Sequence, residues 1–168
     1  MSEVKISFHP LSVQNLSAAL SVASGVFPYN IRSIEAAYRD SLDPLSERMK
    51  KRRLLAYFVA TNDMTGKVIA VTGLYNHLID HSPDEAWLGW FCVDPTERGK
   101  GFGRKTLEWT IERARDMGYK MFRLYTSTDS NEREAQSLYE SEGLAIYKRE
   151  PSEEHPGEEI IYRELSLA

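Results

Sequence analysis

One stretch constrains this chain more than any other: Val93-Asp94-Pro95-Thr96-Glu97-Arg98-Gly99-Lys100-Gly101-Phe102-Gly103-Arg104-Lys105-Thr106. It follows a run of strand character, Ala86 to Val93, which Pro95 ends because proline has no ladder donor to offer. From Arg104 onward Leu107, Ile111, Ala114 and Met117 recur at helical spacing, and Gly118 stands where a left-handed C-terminal cap belongs. Alternating glycines therefore open a helix directly after a strand. The first amides of a helix lack internal partners and its dipole adds partial positive charge, so bare backbone there can hold a phosphate. Arg98, Lys100, Arg104 and Lys105 surround the glycines with no acidic residue among them, although the whole chain has a net charge of -4. That local reversal marks an anion site. The glycines by themselves leave a second reading open, a plain chain-reversing turn with solvated charges.

Upstream, Val4 to His9, Leu54 to Thr61 and Lys67 to Tyr75 read as strands, the last two forming a hairpin across Asn62-Asp63-Met64-Thr65-Gly66. Two helices are expected before the hairpin, about Val13 to Ser24 and Ile31 to Leu42, separated by Gly25 and Phe27-Pro28-Tyr29-Asn30. A further helix over Pro44 to Arg53 ends in Lys50-Lys51-Arg52-Arg53, read as a solvated helix end with no function. Downstream, Met121 to Thr126 reads as a strand and Glu132 to Glu142 as a helix closed by Gly143. Leu144 to Arg149 and Glu159 to Leu165 complete the strands. The expected fold is α/β with α+β character, a mixed, mostly antiparallel sheet of about six to seven strands flanked by about four helices. A single domain over residues 1–168 is expected.

Several functional classes fall away on composition. The longest apolar block, Leu54 to Ala60, is far short of the roughly 20 residues a spanning helix requires, so no membrane role is expected. No basic segment followed by an apolar one opens the chain, and the expected location is cytoplasmic. Cys92 is the only cysteine, which rules out an internal disulfide and a thiolate-rich zinc site; no metal is expected. With 21 Lys and Arg against 25 Asp and Glu, nothing draws the protein as a whole to nucleic acid.

Two sharper phosphate motifs fail. Gly99 to Thr106 nearly spells a nucleotide-triphosphate P-loop, but Arg104 occupies the place of its second glycine. A dinucleotide fingerprint counted from Gly101 needs glycine at 106, where threonine stands. What the segment resembles is the GNAT superfamily of acetyl-coenzyme A dependent N-acetyltransferases. That signature is Arg or Gln, two residues, Gly, one residue, then Gly or Ala, after a strand that usually ends in valine. Arg98-Gly99-Lys100-Gly101-Phe102-Gly103 after Val93 fits it. A second segment, Ala135, Leu138-Tyr139-Glu140 and Gly143-Leu144, is similar to the family's helix-then-strand pattern, with Leu144 in place of the usual phenylalanine. The family's frequent Asn falls at Glu132, with Asn131 one position earlier. The resemblance runs from about Trp87 to Tyr147.

The resemblance implies a GNAT-like fold and acetyl-coenzyme A as acyl donor. It implies that backbone amides from Arg98 through Arg104, hence of Arg98, Gly99, Lys100, Gly101, Phe102, Gly103 and Arg104, cradle the pyrophosphate, with Arg98 and Arg104 adding charged contacts. The pantetheine arm is expected to pair with backbone groups of Phe91, Cys92 and Val93 like a short extra strand, and Asn131 to touch it. Tyr139 is expected to protonate the departing thiolate, a feasible transfer from a phenol of ordinary pKa about 10. Many relatives carry a carboxylate base on the fourth strand. Here Trp87, Leu88, Gly89 and Trp90 fill those places, and Glu85 lies about 20 Å from Phe91 along a straight strand. No general base is assigned, water relaying the proton instead. Cys92 reads as a small buried side chain, so direct transfer in a ternary complex is preferred to a covalent intermediate.

The resemblance also implies an acceptor pocket where the connection near Phe27, Tyr29 and Asn30 meets that between the last two strands, with Tyr29 and His77 as candidate substrate residues. His77 and His81 also read as exposed loop histidines. An acidic connection, Glu150, Glu153, Glu154, Glu158 and Glu159 around His155-Pro156-Gly157, faces it as a solvated loop or a lure for cationic amines. A small-molecule amine is the expected acceptor, with a peptide or protein amine as the variant, and the sequence leaves the oligomeric state open, a homodimer among the alternatives. The competing class is a non-catalytic acyl-coenzyme A sensor or partner-binding module.

Overall fold

A computed structural model describes residues 4–129 and 132–168. The expected elements are present, with shifted ends. The strands are β1 (Ile6–Pro10), β2 (Arg52–Asn62), β3 (Val68–His77), β4 (Glu85–Leu88), β5 (Cys92–Val93), β6 (Met121–Ser127), β7 (Ala145–Pro151) and β8 (Glu159–Ser166). The helices are α1 (Leu16–Val26), α2 (Ile31–Ser41), α3 (Glu47–Lys50), α4 (Phe102–Asp116) and α5 (Arg133–Ser141). One eight-stranded sheet runs β1-β2-β3-β4-β6-β8-β7, with β5 attached to β3 alone. Every pairing is antiparallel except β4 with β6. The α/β, mostly antiparallel architecture is as expected.

Apolar residues on both faces of the central strands require cover on both sides, and the helices provide it. On one face α1 and α2 bury Ala19, Ala23, Ile34 and Tyr38 against Tyr57, Val59, Val71 and Cys92. On the other, Leu107, Ile111 and Ala114 of α4 and Tyr139 of α5 pack with Leu74, Phe122 and Leu124. A buried Thr72–Thr110 hydroxyl pair at 2.8 Å ties β3 to α4, so neither polar side chain is left unsatisfied.

Two expectations need correction. The run Ala86 to Val93 is not one strand: β4 ends at Leu88, β5 begins at Cys92, and Trp90 between them takes a φ of 36°. A positive φ in a bulky residue is disfavoured, and it turns the chain out of register. β4 stays beside β6 only over Glu85–Trp87, and β5 pairs only with β3, so the sheet splays open at this point. The helix over Pro44 to Arg53 shrinks to α3, because Arg52 already pairs with His77 as the start of β2. The basic run is therefore divided. Lys50 and Lys51 are exposed, whereas the Arg53 guanidinium donates to Asn76 Oδ1 and to the carbonyls of His77, Leu78 and His81, clamping the β3–β4 turn.

Candidate active site

The splay between β5 and β6 opens a cleft of about 1290 Å³, reaching from the β5–α4 turn past Phe91 and Tyr139 to Phe27, Tyr29 and Tyr75. One end is built from backbone. Gly99 and Gly101 take φ of +79° and +82°, which a β-carbon disfavours, and an added Cβ at either would meet nothing within 4 Å. The amides of Gly101, Phe102, Gly103 and Arg104 have no acceptor among the described residues, and the helix closes its first bond only from Lys105 N–H to Gly101 O at 3.2 Å. Those donors and the dipole of a 15-residue helix face the cleft mouth.

The basic side chains of this turn are largely engaged already. Lys100 meets Glu97 at 2.8 Å, Arg104 is paired with Glu142, and Arg98 lies 3.9 Å from Glu134. An anion here would be held chiefly by peptide N–H groups. Next to the turn, β5 uses one edge to pair with Ala70 and Val71 of β3, and among the described residues no strand pairs with its other edge. Phe91, Cys92 and Val93 all line the cleft. Cys92 is 2% exposed and burial pushes its thiol pKa up to about 12, which favours the protonated thiol at neutral pH.

Tyr139 lines the cleft from α5, its ring 6.4 Å from that of Phe91. It is 4% exposed, yet no hydrogen bond engages its hydroxyl among the described residues. Burial, reinforced by Glu132, raises its pKa well above the ordinary value, and Arg163 opposes the rise. Arg163 gave no signal in the motif reading. It sits on β8 at an inward position, 3% exposed, donating to Leu144 O at 2.8 Å and Gln136 Oε1 at 3.3 Å, with Glu140 at 3.4 Å. These contacts bracket Tyr139 and hold α5 in place. An arginine in phase with the buried Ile161 of the same strand was the available clue.

Asn131 lies outside the described residues. Its neighbour Glu132 accepts from the Ser127 N–H at 2.8 Å and from the Ser127 hydroxyl, and burial raises its carboxyl above the usual range. Glu85 does not line the cleft; it is bound by Arg123 at 2.8 Å and by the Trp87 indole N–H at 3.0 Å.

The other end of the cleft is built from side chains. Tyr57 lies across Gly73, where an added Cβ would sit 2.4 Å from the ring, so only glycine lets the phenol fold over the sheet. Tyr57, Tyr75 and His77 share one face and line the cleft with Arg48 and Arg52. Burial and the Arg52 charge lower the His77 pKa, favouring the neutral imidazole. His81, by contrast, does not line the cleft. Its Nδ1 accepts the His77 backbone N–H at 2.9 Å, and its ring stacks between those of His77 and Trp87. Tyr29 lines the mouth at 94% exposure. From the acidic connection Glu154 and Glu158 reach the cleft, while Glu150 is bonded to Tyr162 and Glu159 to Arg149.

Among the described residues no group of three or more His, Cys, Asp or Glu is placed to hold a metal ion, and no helix is long and apolar enough to cross a membrane. No curated protein sequence matches the chain. Solved structures do. A GNAT-family protein from Desulfovibrio desulfuricans superposes with a TM-score of 0.80 at 17% identity, covering 98% of this chain and 100% of its own. The ribosomal-protein-S18-alanine N-acetyltransferase of Escherichia coli gives 0.71 at 23% identity, over 98% and 95% of the two chains. The spermidine N-acetyltransferase of Vibrio cholerae, solved with coenzyme A and spermine, gives 0.74 at 14% identity, over 96% and 95%. These likenesses speak for the fold, and the sequence model of one family speaks for descent, matching residues 25–144 across the turn, the splayed strands and Tyr139. The chain belongs to the acetyltransferase (GNAT) family.

Proposed function

We propose that this protein is an N-acetyltransferase that moves the acetyl group of acetyl-coenzyme A directly to a primary amine in a ternary complex. One juxtaposition carries the reading: uncapped amides at the start of α4, the unpaired edge of β5 and the unengaged hydroxyl of Tyr139 line one cleft. The first fits a pyrophosphate and the second an extended amide-bearing arm. The open space beside Gly99 and Gly101, which a side chain would invade, supports that fit. When bound, acetyl-coenzyme A supplies a thioester whose carbonyl carbon receives the amine nitrogen. The N–C bond forms as the C–S bond breaks, the amine releases one proton and the departing sulfur takes up one.

Tyr139 is the residue that supplies the sulfur's proton. Its raised pKa keeps the phenol protonated at neutral pH, as a donor requires. Arg163 offsets part of that rise and fixes the helix that carries the phenol. The amine's proton leaves to water in the cleft. Peptide N–H groups on the free edge of β5 are placed to stabilise negative charge on the acyl oxygen. Tyr29 and His77 belong to the acceptor side, and a small-molecule amine is the favoured acceptor; the fold also serves relatives named for spermidine and for a ribosomal protein.

Tyr139→Phe tests the reading. We expect turnover on an amine panel to fall by about 10²- to 10⁴-fold while acetyl-coenzyme A affinity by calorimetry stays within about threefold. Equal activity of the two proteins at every pH would remove Tyr139 from the mechanism. Tight cofactor binding with no turnover on a broad panel would point to a sensor instead.

A further inference from the structure

The cleft walls on the two sides of the splay carry opposite charge. Arg32 of α2, Arg48 of α3 and Arg52 of β2 line the near side, and no carboxylate from those elements lines it with them. Glu154 and Glu158 line the far side, from the connection between β7 and β8. Arg48 is salt-bridged, its Nε 3.0 Å from Asp40 Oδ2. Arg52 is not: it donates to the Arg48 carbonyl at 3.0 Å and forms no salt bridge among the described residues. It pairs in register with His77 at the edge of the face that carries Tyr57 and Tyr75. Burial first, and then the like charge of Arg48, disfavour its cationic form, a cost that Tyr57, Tyr75 and Asp40 only partly offset. The attraction of an anion beside it offsets both costs, and a guanidinium fork matches a carboxylate in two parallel hydrogen bonds. A second ammonium at the same place adds repulsion, which disfavours a polyamine.

We propose that Arg52 recognises a carboxylate on the acceptor, and that the acceptor is a small amino carboxylate presenting its amine at the splay and its carboxylate to Arg52. The inference rests on the acetyltransferase reading above and names the substrate class of that site. His77, the register partner of Arg52, lies about 13 Å along β3 from Gly73 at ordinary strand rise, so the spacing of amine and carboxylate is itself a variable to test.

The experiment uses ω-amino carboxylates of increasing length, their carboxamides and the matching diamines, with release of the coenzyme A thiol as readout. Wild type is compared with Arg52→Gln and Arg52→Lys, and acetyl-coenzyme A binding to each is measured by calorimetry. We expect carboxylates to exceed their carboxamides by about 10- to 100-fold in kcat/KM. Arg52→Gln should erase that preference through KM, and Arg52→Lys should keep part of it as a point charge. Cofactor affinity should be the same in all three. Equal use of carboxylates and carboxamides, preference for diamines, or a preference that survives Arg52→Gln would overturn the inference and leave the acetyltransferase reading intact. Should the cofactor bind without any turnover, calorimetry with the carboxylates decides: Arg52-dependent binding supports the inference, and its absence overturns it. Failure to bind acetyl-coenzyme A would instead sink the acetyltransferase reading and the inference with it.

Discussion

At the β5–α4 turn the cleft is lined by peptide groups of residues adjacent in sequence, with their basic side chains already paired to Glu97, Glu134 and Glu142. At the other end Arg52, Tyr57, Tyr75 and His77 converge from two strands and offer side chains. A backbone site recognises what every donor of one class shares, and tolerates change in most side chains. A side-chain site can be re-specified one residue at a time. The contrast suggests why one fold accommodates relatives named for spermidine and for a ribosomal protein.

The contrast makes predictions that can break it. The largest effect is expected at the backbone end. Gly101→Glu places bulk and negative charge in the space before the free amides and forces a φ of +82° on a residue with a β-carbon. Acetyl-coenzyme A affinity should fall about 100-fold by calorimetry, and Gly101→Ala, which adds the strain without the charge, should lose less. If Gly101→Glu binds normally, the donor end has been misplaced.

At the side-chain end, Gly73→Ala drives a methyl against the Tyr57 ring and should destabilise the protein by about 2–3 kcal/mol, seen as a melting temperature lower by about 4–12 °C. An unchanged melting curve would mean that Tyr57 swings away freely and that this wall is not preorganised.

A smaller effect should follow alkalinity. Cys92 and Tyr57 both have native pKa values pushed up to about 12 by burial, so the unfolded chain loses these protons first. Stability should be fully present below about pH 8.5 and decline as pH rises toward about 12, read from denaturant midpoints. Smallest of all, Cys92→Ala should leave turnover within about threefold, because a thiol held protonated takes no part in transfer. A severe loss with the fold intact would restore a covalent route.

Most strands and helices were legible because apolar periodicity and glycine or proline punctuation are local signals. Ala86 to Val93 misled because its residues are strand formers throughout; the interruption comes from Trp90 in a backbone region that composition does not announce. At Arg52 the basic run carries the signal of a helix end and hides the start of β2, where pairing with His77 outweighs local propensity. His77 and His81 looked alike, and only the turn geometry put one on the cleft and stacked the other on Trp87.

By itself the sequence determined the family, the glycine-rich turn that opens α4 and the placing of Tyr139 on a helix, since each is written in a contiguous segment whose backbone conformation depends on neighbours in the chain. Tertiary structure alone decided the splay of the sheet, the clamp of Arg163 on α5 and the arginine-lined wall of the cleft. Those features join residues far apart in the chain, and strand order and register, which no local signal encodes, bring them within reach of one another.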